Sequence, residues 1–312
     1  MEDETKTSTC IGESQGDNKM SYEMWVIITG ALVGITCGTI GCLLIIRRLS
    51  MLSDGISHTV LLGIVLAYLV SNSLSPVYMF IGALVIGIAT SFFVHYLTTK
   101  NIHSDASIGI VFTTLFALGV FLVSMFTHKV HLDTDHVLMG EIAFVPWNTF
   151  TLFGITMPKA VWMLSAVFII NTLLITYKYQ QIKISTFDPQ LAKSLGINIT
   201  YIHYLLMGML SLSIVASFES VGSILVVTML IVPGATAYLI TKKLSTMIIV
   251  SGIIGVISSF LGYGIAFTFD VSVAGSMSVA LGIIFTCFFA LHILVKKIVK
   301  KRLEKQIVLN KA

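Results

Sequence analysis

Apolar residues run in long blocks along this chain, and the polar ones gather between the blocks. Nine blocks have about the 17–25 residues that cross a bilayer as a helix. They fall near 24–46, 52–70, 77–97, 106–126, 159–177, 201–218, 221–241, 245–267 and 273–295. None shows the short alternation of apolar and polar residues that marks a membrane barrel strand. Helices are the expectation, because a helix satisfies its own backbone hydrogen bonds in lipid. The predicted fold is an all-α polytopic membrane protein, a bundle of about nine transmembrane helices. Only Phe218, Glu219 and Ser220 separate the sixth and seventh blocks, so a re-entrant member there lowers the count to eight. The organisation expected is a polar segment over 1–23, a membrane domain over 24–295 and a basic tail over 296–312.

Composition supports lipid as the solvent. Hydrophobic residues make up 56% of the 312 and charged residues 11%, with a mean hydropathy of +0.94. Soluble domains carry about 25% charged residues. The net charge of +4 is small and spread out, so nucleic-acid binding is not expected. Cys10, Cys37, Cys42 and Cys287 form no C-x-x-C pair and suggest no disulfide framework. The start of the chain, with Glu2, Asp3, Glu4, Glu13 and Asp17, lacks the basic and apolar runs of a secretory signal, so the first helix is expected to remain as an anchor. With nine spans and the N-terminus outside, fifteen of the 19 Lys and Arg fall in inner segments or the tail, as the positive-inside rule requires. A multi-pass protein of the cell membrane with a cytoplasmic C-terminus is expected. Gly30, Gly34 and Gly38 form a small-residue ladder suited to close helix packing.

Ionisable groups within spans are costly and mark function. Asp54 and His58 lie four apart in the second block, on one face of a helix. A carboxylate and an imidazole so placed suit manganese or zinc; a helix-tying Asp–His pair is the structural alternative. The longest outer connection carries His128, His131, Asp133, Asp135, His136 and Glu141. With Glu219 at the tight outer turn, Asp133, Asp135, His136 and Glu141 form a possible outer vestibule that attracts cations. A solvated loop is the other reading.

The inner connection from Phe187 to Ile197 spells a short helix. Asp188 suits the N-cap, Pro189 the first helical position and Gly196 a left-handed stop. Leu191, Ala192 and Leu195 give it an apolar face. So short a helix needs a surface to dock on, either the bilayer or the groove of a cytoplasmic partner. Pro233 lies within the seventh block and removes a backbone hydrogen bond. With Gly222 it marks a possible gating helix, or a structural kink. No Walker A loop, G-x-S-x-G elbow or H-E-x-x-H helix is present; an enzyme is not expected.

Four stretches in order resemble the membrane-spanning permease of bacterial ABC importers for manganese, zinc or iron. They are Arg47 to Gly63 with its Asp-x-x-Ser-His core, Asp188 to Ile197, Val221 to Ala237, and Asp270 to Ser276. Leu62 and Val273 stand where the family often has proline. The resemblance covers about 25–295. It implies a homodimer around one path, with Asp54 and His58 in the transmembrane metal site. It further implies a cytoplasmic ATPase engaging Asp188, Pro189, Leu191, Ala192, Leu195 and Gly196, and an extracytoplasmic metal-binding protein. The metal, Mn2+ more than Zn2+, is cargo; no permanent cofactor is implied. Ionised Asp54 would offset cation charge, and acid would weaken binding by protonating His58. The rivals are a proton-coupled secondary transporter, for which inverted repeats are lacking, and an ABC permease for a metal chelate.

Overall fold

The computed structural model describes residues 3–71, 76–126, 142–147, 149–152 and 155–309. Helix α1 spans Asp3–Ile46, α2 Met51–Ser71, α3 Pro76–Thr99 and α4 Ser104–Phe126. A 3-10 turn, Ile142–Trp147, leads to a hairpin in which β1 (Thr149–Leu152) pairs antiparallel with β2 (Ile155–Pro158). Then follow α5 (Lys159–Phe187), α6 (Pro189–Ser194), α7 (Ile199–Ile240), α8 (Leu244–Phe269) and α9 (Val273–Leu309). Among the described residues eight helices are long and apolar enough to cross a membrane, the apolar part of α1 being Tyr22–Ile46.

The difference from nine apolar blocks lies in α7. Its 42 residues hold both the sixth and seventh blocks, with helical backbone through Phe218, Glu219 and Ser220. The helical dihedrals fail at Gly222 (φ 77°, ψ 168°) and not at Pro233. A glycine is needed at that positive φ. The chain turns back there. Cys37 of α1 meets Ser217, and one turn along, Gly41 meets the Leu230 carbonyl. Thirteen residues of straight helix would span roughly 20 Å, whereas Cys37 and Gly41 are separated by roughly 6 Å. The two halves of α7 therefore run in opposite directions, and one helical element supplies two of the expected passes.

Helices meet without hydrophobic drive in lipid, so close backbone approach decides their pairing. The expected ladder is that contact: Gly34 lies against Gly255 of α8, and a Cβ on it would sit 2.8 Å from the Gly255 carbonyl carbon. One turn on, the Ser251 hydroxyl donates to the Gly38 carbonyl at 3.0 Å. Gly63 of α2 approaches Gly82 and Ala83 of α3 likewise. The Thr90 hydroxyl donates to Thr59 across that pair at 3.0 Å, and Asn171 of α5 donates to Ser213 of α7 at 2.7 Å. The ends of α1, α3 and α5 and the starts of α2 and α7 share one end of the bundle, called here the Arg47 end.

Candidate metal-transport site

Asp54 sits in the first turn of α2 and His58 one turn later. His58 Nε2 stands 3.5 Å from Asp54 Oδ1, longer than a good hydrogen bond. The two side chains are not closed on each other, and with His58 35% and Asp54 49% exposed, an ion can reach both. The imidazole is bounded by Phe112 and Phe116 of α4, at centroid distances of 6.0 and 5.6 Å. These rings fix its orientation and supply no ligand. The i,i+4 spacing read from sequence thus becomes a two-ligand face. Among the described residues no group of three or more His, Cys, Asp or Glu side chains surrounds it or any other point. Zinc takes four ligands and manganese sites more, so one chain brings part of a set. The pair lies towards the Arg47 end, because Ile56 and Thr59 pack beside Gly87 and Thr90 of α3.

Glu219 is exposed at the tip of the α7 bend. It lines a cavity of about 240 Å³ with Phe144, Lys159 and Met163, at the opposite end of α5 from Arg47's partners. Its expected companions Asp133, Asp135, His136 and Glu141 lie outside the described residues.

The short helix forms as its local code predicts. Asp188 caps α6, its carboxylate accepting from the Leu191 N–H at 2.9 Å, and Pro189 opens it. Gly196 takes φ +74°, and Ile197 donates back to the Ala192 carbonyl at 2.9 Å. The apolar face divides. Ala192 is fully buried against the bundle, whereas Phe187, Leu191 and Leu195 are exposed. Gly222 and Pro233, both buried, belong to the second half of α7 and its bend; Gly234 rests on Gly41 and Cys42 of α1.

Two features escaped the sequence reading. Arg47, which follows α1, donates from Nε to the Thr186 hydroxyl at 3.0 Å and from Nη2 to the Ser185 hydroxyl at 2.8 Å. It thereby joins the α1–α2 connection to the last turn of α5, directly before α6. Among the described residues no carboxylate pairs with it, and burial pushes its guanidinium down to about 10, leaving it charged at neutral pH. The other is a pair of imidazoles, His95 of α3 and His203 of α7, with ring centroids 4.4 Å apart. Long-range pairing leaves no local signal.

The comparisons agree with this architecture. The model of the ABC 3 transport family matches residues 19–296. The chain is 51% identical over 292 residues to the manganese transport system membrane protein MntD of Bacillus subtilis, covering 92% of this chain and 99% of that one. It is 38% identical to the zinc transport system membrane protein TroD of Treponema pallidum, covering 85% and 73%. Among solved structures it resembles PsaBC from Streptococcus pneumoniae in complex with Fab. That match has a TM-score of 0.72 and 34% identity, over 89% of this chain and 95% of that one. A helical bundle of this architecture, matched over nearly its whole length, belongs to the ABC 3 transport family.

Proposed function

We propose that this chain is the permease subunit of an ATP-driven importer of divalent metal ions, manganese before zinc, and that Asp54 and His58 hold the ion in transit. The observation that carries the reading is the half-exposed Asp54–His58 face on α2, with the two side chains 3.5 Å apart and not committed to each other. Relatives named for manganese transport, one of them 51% identical, support the choice of metal, and one named for zinc keeps zinc as second. A carboxylate with an imidazole and no thiolate is also a donor set that manganese accepts.

In this reading two copies face each other across one path, and each supplies an Asp54 and a His58, which completes a four-ligand set. The Arg47 end is cytoplasmic, in keeping with the concentration of Lys and Arg there, and the N-terminus is outside. An extracytoplasmic binding protein releases metal at the Glu219 end. Ionised Asp54 offsets the cation charge that lipid penalises, and neutral His58 donates a nitrogen. The chain has no ATPase motif. A cytoplasmic ATPase seats on Phe187, Leu191 and Leu195, the exposed apolar side of α6. Its closure moves α6, and Arg47 passes that motion from the end of α5 to the start of α2.

The test is radiolabelled Mn2+ uptake in cells carrying the whole transporter, with Asp54→Ala and His58→Ala at matched membrane levels and unlabelled Zn2+ as competitor. Each variant is expected to lose at least about tenfold of the uptake, which corresponds to about 1.4 kcal/mol of binding. Normal uptake by both would show the pair to be structural.

A further inference from the structure

We infer that His95 and His203 form a second metal site, separate from the transit pair, that takes an imidazole-seeking divalent ion such as Zn2+ and discriminates against Mn2+. His95 lies near the end of α3 and His203 near the start of α7, on antiparallel helices. Their ring centroids stand 4.4 Å apart with the planes tilted by 33°. Both rings are half-buried. Neither imidazole has a hydrogen-bond partner among the described residues, so their nitrogens are uncommitted. The two imidazoles lie in an aromatic cluster. Tyr204 meets His95 and His203 edge-on at 5.4 and 5.8 Å, and Phe92 stacks on Tyr204 at 6.2 Å. Tetrahedral zinc with ~2 Å bonds to nitrogen needs two ligand nitrogens roughly 3.4 Å apart. Because each lone pair lies in its ring plane, a shared zinc also holds the two ring centres roughly 5 Å apart. The side chains must therefore swing apart by about 1 Å from the 4.4 Å, 33° arrangement to present both nitrogens, and water fills the remaining positions.

The surroundings set the selectivity. Among the described residues the carboxylate–imidazole pair is Asp54–His58, and no carboxylate bonds to His95 or His203. A hard cation that depends on carboxylate oxygens finds none there. An ion with a strong bond to imidazole needs no carboxylate, and the Irving–Williams order puts Zn2+ and Cu2+ far above Mn2+. The two metal faces of the molecule therefore differ in chemistry: carboxylate with imidazole on α2, imidazole alone between α3 and α7. An ion in the second site ties α3 to the first half of α7 and resists any movement between them.

The experiment titrates Zn2+ alone, and Mn2+ alone, into the purified full-length protein against a chromophoric chelator. An Asp54→Ala/His58→Ala background removes the transit pair, so the result does not depend on the transport reading. One Zn2+ is expected to remain in that background, and adding His95→Gln or His203→Gln is expected to weaken it at least about tenfold. Mn2+ at the same concentration should not compete. Zn2+ binding unchanged by both glutamine variants would overturn the site. Should either variant fail to fold, Co2+ in the double-alanine background decides. Intense visible bands of a tetrahedral imidazole site support the assignment, and their absence rejects it.

Discussion

The seam between α1 and α8 and the face shared by α2 and α4 are built on opposite terms. Along the seam, Gly34 and Gly255 bring two backbones into contact, and the Ser251 hydroxyl bonds the Gly38 carbonyl. On the α2–α4 side, Asp54 and His58 remain partly exposed, and apolar side chains of α4 such as Ile110, Leu118 and Phe121 face outward. Gly109 of α4 has no atom within 4 Å of where a Cβ would stand, and Gly196 and Gly264 are likewise open. The difference teaches where a transport bundle keeps its rigidity. Small residues let one pair of helices lock by dispersion and a hydrogen bond from a side chain to the facing backbone, whereas the polar pair keeps exposed surface.

The comparison is broken most severely at Gly34. Gly34→Leu places side-chain atoms inside the α8 backbone, which cannot rotate away. A loss of about 3 kcal/mol or more is expected, read as failure to recover a monodisperse protein in detergent. Normal recovery and melting would mean that the seam is looser than its geometry.

Arg47→Ala tests the link between the two regions with a smaller effect. Two charge-assisted hydrogen bonds are lost, but Ser185 and Thr186 still donate to the Ile182 carbonyl, at 3.1 and 2.7 Å. No donor is orphaned, and the buried charge goes with its partners. The expected cost is about 1–3 kcal/mol, seen as a lower melting temperature. If Arg47 carries motion from α6, Mn2+ uptake falls further than stability does, and Arg47→Lys, which keeps the charge and loses the fork, recovers only part of it.

The smallest change has the opposite sign. Gly109→Ala on α4 meets open space and removes the conformational freedom of glycine, so it should raise stability by about 0.5–1 kcal/mol. A loss instead would indicate that α4 is covered closely by another chain.

Legibility in the sequence followed the range of the interactions. α6 was readable in full, because the cap at Asp188, Pro189 at the first position and the stop at Gly196 act within one or two turns. The Asp54–His58 face was readable for the same reason, since four residues of helix bring the pair to one side. The apolar blocks fixed which stretches are helical in lipid. They did not locate the reversal, which was expected at the polar stretch from Phe218 to Ser220 and sits at Gly222. A turn between two apolar helices needs a residue that accepts positive φ, and hydropathy carries no record of that. The clamp of Arg47 on Ser185 and Thr186 was not legible, nor was the meeting of His95 with His203, because each joins residues more than a hundred positions apart.

By itself, then, the sequence determined the helices, the short capped turn at Asp188 and the shared face of Asp54 and His58, all of which rest on composition or on neighbours within a turn. The tertiary structure alone decided that α7 doubles back and that α1 and α8 touch through glycine. It also decided that one half of α7 brings an imidazole to α3. Those outcomes depend on how closely distant backbones approach, and that distance is set by the packing of the whole bundle.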